Sequence, residues 1–196
     1  MREEDDMQLL EDRITQDGKV YPGNVLKVDS FLNHQIDCDL MTQLGAEIVR
    51  RFDGENITKV LTVEASGIAF AFAVASLLGV PMVFAKKSQT NNLSPNVYNA
   101  KVVSYTHSTT YDVRVEKEFI LPTDRVLIVD DFLANGAALT GLADIITQAG
   151  AKVVGCAIAI EKGFQDGGKI VRGKGIRVES LAIIEKMTNS SITFRN

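Results

Sequence analysis

The chain has 196 residues, 45% hydrophobic and 23% charged, close to the averages of globular domains and enough for one domain with a sizeable core. The net charge of −4 gives no bulk basic character, which argues against nucleic acid or an anionic membrane as partner. The acidic start, MREEDDMQLLEDR, has no apolar h-region of a secretory signal, and no window nears the run of about eighteen apolar residues that predicts a membrane span.

In chain order, residues 1–17 read as a polar helix with Gly18 as its stop. Over 39–52, Leu40, Met41, Leu44, Ile48, Val49 and Phe52 share one helical face. Asp37 or Asp39 can cap this helix, since a short carboxylate accepts free amide N–H groups. Apolar strands and helices then alternate. KVLTV (59–63) reads as a strand, EASG as a turn, and IAFAFAVASLL (68–78) as a helix ending at Gly79. PMVFA (81–85) and RVLIV (125–129) read as strands. Residues 136–149 read as a helix, with Ala138, Leu142 and Ile145 on one face and Gly150 as its stop. VVGCAIAI (153–160) is a further strand. Near-continuous apolar strands separated by helices predict an α/β fold, a parallel sheet covered on both faces. Right-handed crossovers gather its loops at the C-terminal strand ends.

Residues 86–124 break the alternation. KKSQTNNLSPN is polar and turn-rich, and VVSYTHSTTYDVRVEKEFIL reads as two antiparallel strands around a polar turn at 107–110. Such an excursion is commonly a lid over a site, or else disordered; a surface hairpin or dimer contact is the plainer role. Cys156 falls in an apolar strand and reads as a free buried thiol far from Cys38, in a reducing, cytosolic setting. His34 and His107 lack metal-ligand spacing, so no structural zinc site is predicted.

Three loops carry chemistry: Glu64–Gly67, Lys86–Lys87 and the loop in VLIVDDFLANGAALTGL (126–142). Neither the P-loop nor the G-x-G-x-x-G pattern is present. The amides of Ala134, Asn135, Gly136, Ala137 and Ala138 would face an anion at a helix N-terminus, although Gly136 can also serve only a tight turn. Asp130 and Asp131 are adjacent, so on a strand they point opposite ways and cannot both enter the core. Where the strand ends, both can reach the crevice. Ionised carboxylates are pure acceptors and suit the two donors of a vicinal diol. A phosphate on the loop with sugar hydroxyls on the carboxylates describes a ribose 5-phosphate. Lys86 and Lys87 would then face further negative charge, such as pyrophosphate, or are an exposed loop pair.

These residues resemble a known family. VLIVDDFLANGAA resembles the phosphoribosyl-pyrophosphate (PRPP) signature of type I phosphoribosyltransferases. NVLKVDSFLNHQID, VEASGIAFA, VPMVFAKK and AIEKGFQ are similar to the bacterial xanthine branch of the purine enzymes. The resemblance implies one domain over 1–196 with a central, mainly parallel sheet and helices on both faces. A small hood from the terminal segments and a flexible loop or hairpin over the site are implied too. It implies transfer of the phosphoribosyl group from PRPP to xanthine in purine salvage, with Mg²⁺ accompanying PRPP, in a cytoplasmic homodimer. Asp130 and Asp131 are implied as the catalytic pair. Ser66, Gly67, Lys86, Lys87 and Ala134–Ala138 are implied as PRPP-binding, and Leu26, Asn33 and Lys162 as base-binding. No metal ligand is directly assigned.

Lys162 can donate to a base carbonyl, the Asn33 amide to the C2 carbonyl, and Leu26 can form an apolar wall. Their plainer roles are a strand-end charge, a turn residue and core. Adenine would set an amine against Lys162, a mismatch that can discriminate by about 10⁴-fold in a buried site. Guanine is the nearer competitor, accommodated by a flip of the Asn33 amide. Two departures from the wider family stand out. The phosphate loop has no hydroxyl, and Ser66 stands where adenine enzymes often carry Arg. A guanine, hypoxanthine or adenine enzyme and a non-catalytic PRPP-sensing regulator remain alternatives; a regulator usually needs a nucleic-acid surface.

Overall fold

In the computed structural model, residues 5–88, 96–104, 109–188 and 191–195 are described. The N-terminal part contains α1 (Asp5–Asp17), the short strands β1 (Lys19–Tyr21) and β2 (Val25–Lys27), a π-helical turn (Asp29–Asn33) and α2 (Cys38–Arg51). There follow β3 (Lys59–Val63), α3 (Ile68–Leu78), β4 (Met82–Ser88), β5 (Val97–Ser104) and β6 (Thr109–Glu116). The C-terminal part contains β7 (Arg125–Leu133), α4 (Ala137–Gln148), β8 (Lys152–Lys162), α5 (Gly167–Gly173), β9 (Val178–Thr188) and β10 (Ser191–Phe194).

The eight-stranded sheet has the order β10-β9-β8-β7-β3-β4-β6-β5. Its middle is parallel, from β9 through β8, β7 and β3 to β4, and its edges are antiparallel. One apolar cluster packs α1, α2, α3 and the β2 region on one face. A second packs α4, Val171 of α5 and the β5–β6 hairpin on the other. The predicted parallel sheet with helices on both faces is therefore observed. The periodicity in α2 reports the buried stripe, with Leu40, Met41, Leu44, Ile48 and Phe52 inside and Val49 half-buried. Asp37, not Asp39, caps this helix: its side chain accepts from the Leu40 N–H at 3.1 Å. Gly79 and Gly150 end their helices at positive φ, 67° and 71°.

Two strands run past the ends that the sequence reading gave them. β7 continues past Val129 to Leu133, because β8 pairs alongside it as far as Leu133–Glu161. β4 continues through Lys86 and Lys87 because β6 pairs with it, Lys86 opposite Arg114 and Lys87 opposite Val113. These lysines are strand residues, not loop residues. Strands β1, β2, β9 and β10, the π-helical turn and α5 lie outside the predicted elements.

The antiparallel pair in the excursion is β5–β6, closing at Ser104–Thr109. Within the excursion 86–124 read as a lid, residues 89–95 and 105–108 lie outside the described residues, with His107 and half of the turn at 107–110 among them. Cys156 is free and buried, and Cys38 is free and exposed. No described helix is long and apolar enough to cross a membrane.

Candidate active site

Because β7 runs through both aspartates, alternation sends their side chains to opposite faces of the sheet. Neither is open to a crevice by default: Asp130 is 6% exposed and Asp131 4%. Asp131 meets the loop after β3 and the turn before α2. Ser66 Oγ donates to its Oδ1 at 3.0 Å, and Asn33 Nδ2 donates to its Oδ2 at 2.9 Å. Asp130 lies under Gly67 and accepts the Asp131 N–H at 3.0 Å. A Cβ at position 67 would run into Thr62 Oγ1 and Asp130 Oδ1, so this close approach requires glycine. Burial, then the neighbouring Asp131, pushes the Asp130 carboxyl well above its ordinary range, and Lys87 opposes the shift. Burial and the Asp130 charge also push the Cys156 thiol up to about 12.

The loop from β7 to α4 turns at Gly136, whose φ is 78°. Gly167 N–H, at the start of α5, donates to Ala134 O at 3.0 Å and seats the loop. A side chain at Gly167 would collide with the Ala134 carbonyl. Asn135 Oδ1 accepts the Ala137 N–H at 2.9 Å. One predicted anion-binding amide is thus capped by the loop's own side chain. Gly136 serves the turn; Ala134 and Ala138 are half-buried around it.

The two lysines separate. Lys87 Nζ lies 5.4 Å from the Tyr111 ring centroid, and its charge reaches Asp130. Its backbone N–H donates to Glu64 Oε1 at 2.6 Å, tying β4 to the Ser66 loop. Lys86 lines a separate groove of about 110 Å³ with Arg114, Phe84 and Phe119. The structure brings Lys87, and not Lys86, to the carboxylates.

Of the base-binding candidates, Lys162 ends β8, with its Nζ 2.9 Å from Asn24 O and 5.7 Å from the Phe132 ring centroid. Burial lowers its pKa. Asn24 lies in the β1–β2 turn and Leu26 in β2, so Lys162 touches the hairpin that carries Leu26. Leu26 is buried in the first core cluster, with Phe132 packed against that cluster. Asn33 reaches the site from the π-helical turn through Asp131.

Residues 27–170 match the phosphoribosyl transferase domain family. The chain is 56% identical over 191 residues to the xanthine phosphoribosyltransferase of Lachnoclostridium phytofermentans, covering 96% of this chain and 98% of that protein. The chain belongs to the phosphoribosyltransferase family. It is also 53% identical over 190 residues to the xanthine phosphoribosyltransferase of Clostridium novyi, covering 97% of this chain and 100% of that one. The adenine phosphoribosyltransferase of Rhodothermus marinus shares the fold, with a TM-score of 0.74 at 23% identity over 91% of this chain and 98% of that one. The family resemblance of VLIVDDFLANGAA and its companion motifs is borne out.

This phosphoribosyltransferase also holds an ion pair, between a buried carboxylate and an exposed arginine, that sequence reasoning missed. Arg172 of α5 donates to both oxygens of Glu161 at 2.8 Å, and Ser180 Oγ donates to the same carboxylate. Glu161 is 3% exposed; burial raises its pKa, but the Arg172 and Ser180 hydrogen bonds outweigh this and hold it low. The pair fixes α5, which seats the 134–138 loop, to β8, which ends at Lys162. The available signal was one carboxylate inside the apolar run AIAIEK.

Proposed function

We propose that the chain transfers the 5-phosphoribosyl group of PRPP to N9 of xanthine, giving xanthosine 5′-monophosphate (XMP) and pyrophosphate in purine salvage. The observation that carries this reading is the adjacency of the buried Asp130–Asp131 pair to a helix-N-terminal loop, in a chain more than half identical to proteins named for xanthine. The C1–N9 bond forms, the bond from C1 to the pyrophosphate oxygen breaks, and the N9 proton leaves to solvent. The remaining amides of the 134–138 loop take the 5-phosphate. Asp130 and Asp131 hold the ribose hydroxyls and favour positive charge developing at C1. Ser66 and Gly67 shape the pyrophosphate side, with Lys87 as its cation; Lys86 would need a rearrangement of β4 to join it. Lys162 donates to a base carbonyl, Asn33 reads C2, and Leu26 walls the hairpin side.

The donor chemistry fits a magnesium ion that arrives on the substrate. No cluster of three or more His, Cys, Asp or Glu capable of holding a metal exists among the described residues. Magnesium is commonly held by one or two carboxylates plus substrate phosphates, and Asp130 and Asp131 would be the protein oxygens here. When bound, the ion offsets charge on the departing pyrophosphate.

We also propose that residues 1–196 work as one unit and that the enzyme is a cytoplasmic homodimer. An apolar face supports the dimer: α3 is apolar all round, yet Phe72 is 63% exposed beside Leu77 and Ile36. Product analysis tests the reaction. Protein, PRPP, Mg²⁺ and xanthine should yield XMP and pyrophosphate in equal amounts. PRPP binding without turnover on any purine base would overturn it in favour of a PRPP-sensing regulator.

A further inference from the structure

Lys87 Nζ sits over the ring of Tyr111, 5.4 Å from its centroid. Tyr111 belongs to β6, the second strand of the excursion, and has no part in the chemistry described so far. In the β4–β6 register Lys87 stands opposite Val113. Tyr111, two residues along β6, is therefore its diagonal neighbour on the same face of the sheet. Val113 is buried in the second apolar cluster, and Tyr111 packs against that cluster. Ile128 belongs to it too, so alternation along β7 turns Asp130 to this face. Burial first and the Asp130 charge second raise the pKa of the Tyr111 phenol, and the Lys87 charge acts on Asp130 in turn. Three strands thus bring an aromatic ring, an ammonium and a carboxylate together.

A lysine side chain loses much rotamer freedom when it is fixed on a ligand, and a contact that holds it beforehand removes part of that cost. An aromatic face suits the task. Its quadrupole attracts the ammonium without neutralising it, whereas a carboxylate in the same place would compete with an anionic ligand. We infer that Tyr111 is a positioning residue for PRPP: the face of its ring holds the Lys87 ammonium beside Asp130, pre-set for the pyrophosphate. The inference rests on the proposed PRPP chemistry. Its consequence is that the β5–β6 excursion takes part in the site through a residue of its second strand. The ring face is the active part, and the phenol hydroxyl is dispensable.

Calorimetry without turnover tests this, with PRPP and Mg²⁺ as one titrant and XMP, which lacks the pyrophosphate, as the other. Tyr111→Leu should weaken PRPP binding about 5-fold, the scale of a partly desolvated cation–π contact, and leave XMP binding within about 2-fold of wild type. Tyr111→Phe, which keeps the ring face, should match wild type for both ligands. Lys87→Met should weaken PRPP binding more than Tyr111→Leu does. In the Lys87→Met background, Tyr111→Leu should have no further effect, because the ammonium it positions is gone. Unchanged PRPP affinity in Tyr111→Leu, equal losses for PRPP and XMP, a Phe variant as weak as the Leu variant, or additive losses in the double variant would each overturn the inference. Wild-type protein that binds neither PRPP nor XMP would overturn the proposed function, and with it the inference that rests on it.

Discussion

Replacing Asp130 by Asn should make the protein more stable and nearly inactive. Asp130 is 6% exposed, accepts one described hydrogen bond, from the Asp131 N–H at 3.0 Å, and stands beside a second carboxylate. Its pKa is raised in the folded state by burial first and Asp131 second. A raised carboxylate pKa means its contribution to stability is full below the unfolded value, about 3.9, and is lost as pH rises through the folded value. Above that, the native state holds a buried charge without a close counter-ion. Asn keeps the shape and the acceptor oxygen but not the charge. Removing such a charge should stabilise the protein by about 2 kcal/mol, which for a chain of this size raises Tm by about 4–8 °C. Melting curves from about pH 5 to about pH 9 should show the gap opening with pH. Turnover should fall about 100-fold or more, as for other losses of transition-state electrostatics. A variant that melts below wild type, or a gap independent of pH, would refute the reasoning.

Gly67→Ala should displace Asp130, because the added methyl meets Asp130 Oδ1 and Thr62 Oγ1; PRPP affinity should drop at least about 10-fold by calorimetry. Arg172→Met should destabilise the fold by about 1–2 kcal/mol in urea unfolding, because Glu161 then keeps only Ser180 as a close donor while the exposed Arg172 side chain limits the loss, and PRPP binding should weaken as α5 loosens under the loop. Lys162→Ala should raise KM for xanthine more than for PRPP in steady-state kinetics, since its Nζ lies at the hairpin and not at the phosphate loop. A thiol-reactive chromophore should label exposed Cys38 promptly and Cys156, with its pKa near 12, only on unfolding; fast labelling of both would contradict the burial assigned here.

The middle of the fold was legible because its strands are apolar on both faces and its helices end at Gly79 and Gly150, where the chain needs positive φ. The turn from β7 into α4 was legible because Asn135-Gly136 breaks the apolar run just before a helical pattern begins, and Gly136 takes the positive φ that such a turn needs. What failed depended on neighbours distant in sequence. β7 looks finished at Val129, since acidic residues normally end an apolar strand, yet β8 continues to pair with it. Lys86–Lys87 reads as a loop until β6 is seen beside it. Strands of three residues such as β1 and β2 are too short to show a period. Asn33, Leu26 and Lys162 were named from family resemblance. The bond from Asn33 to Asp131, and the capping of Ala137 by Asn135, had no pattern to announce them.

The most direct test of the central claim is kcat/KM for xanthine, guanine, hypoxanthine and adenine measured in parallel at saturating PRPP and Mg²⁺. The proposed Asn33 contact at C2 and the Lys162 donor predict xanthine first, guanine as the nearer competitor and adenine lowest. A preference for adenine would contradict the base pocket while leaving the PRPP site standing, and equal use of guanine and xanthine would contradict the proposed preference for xanthine.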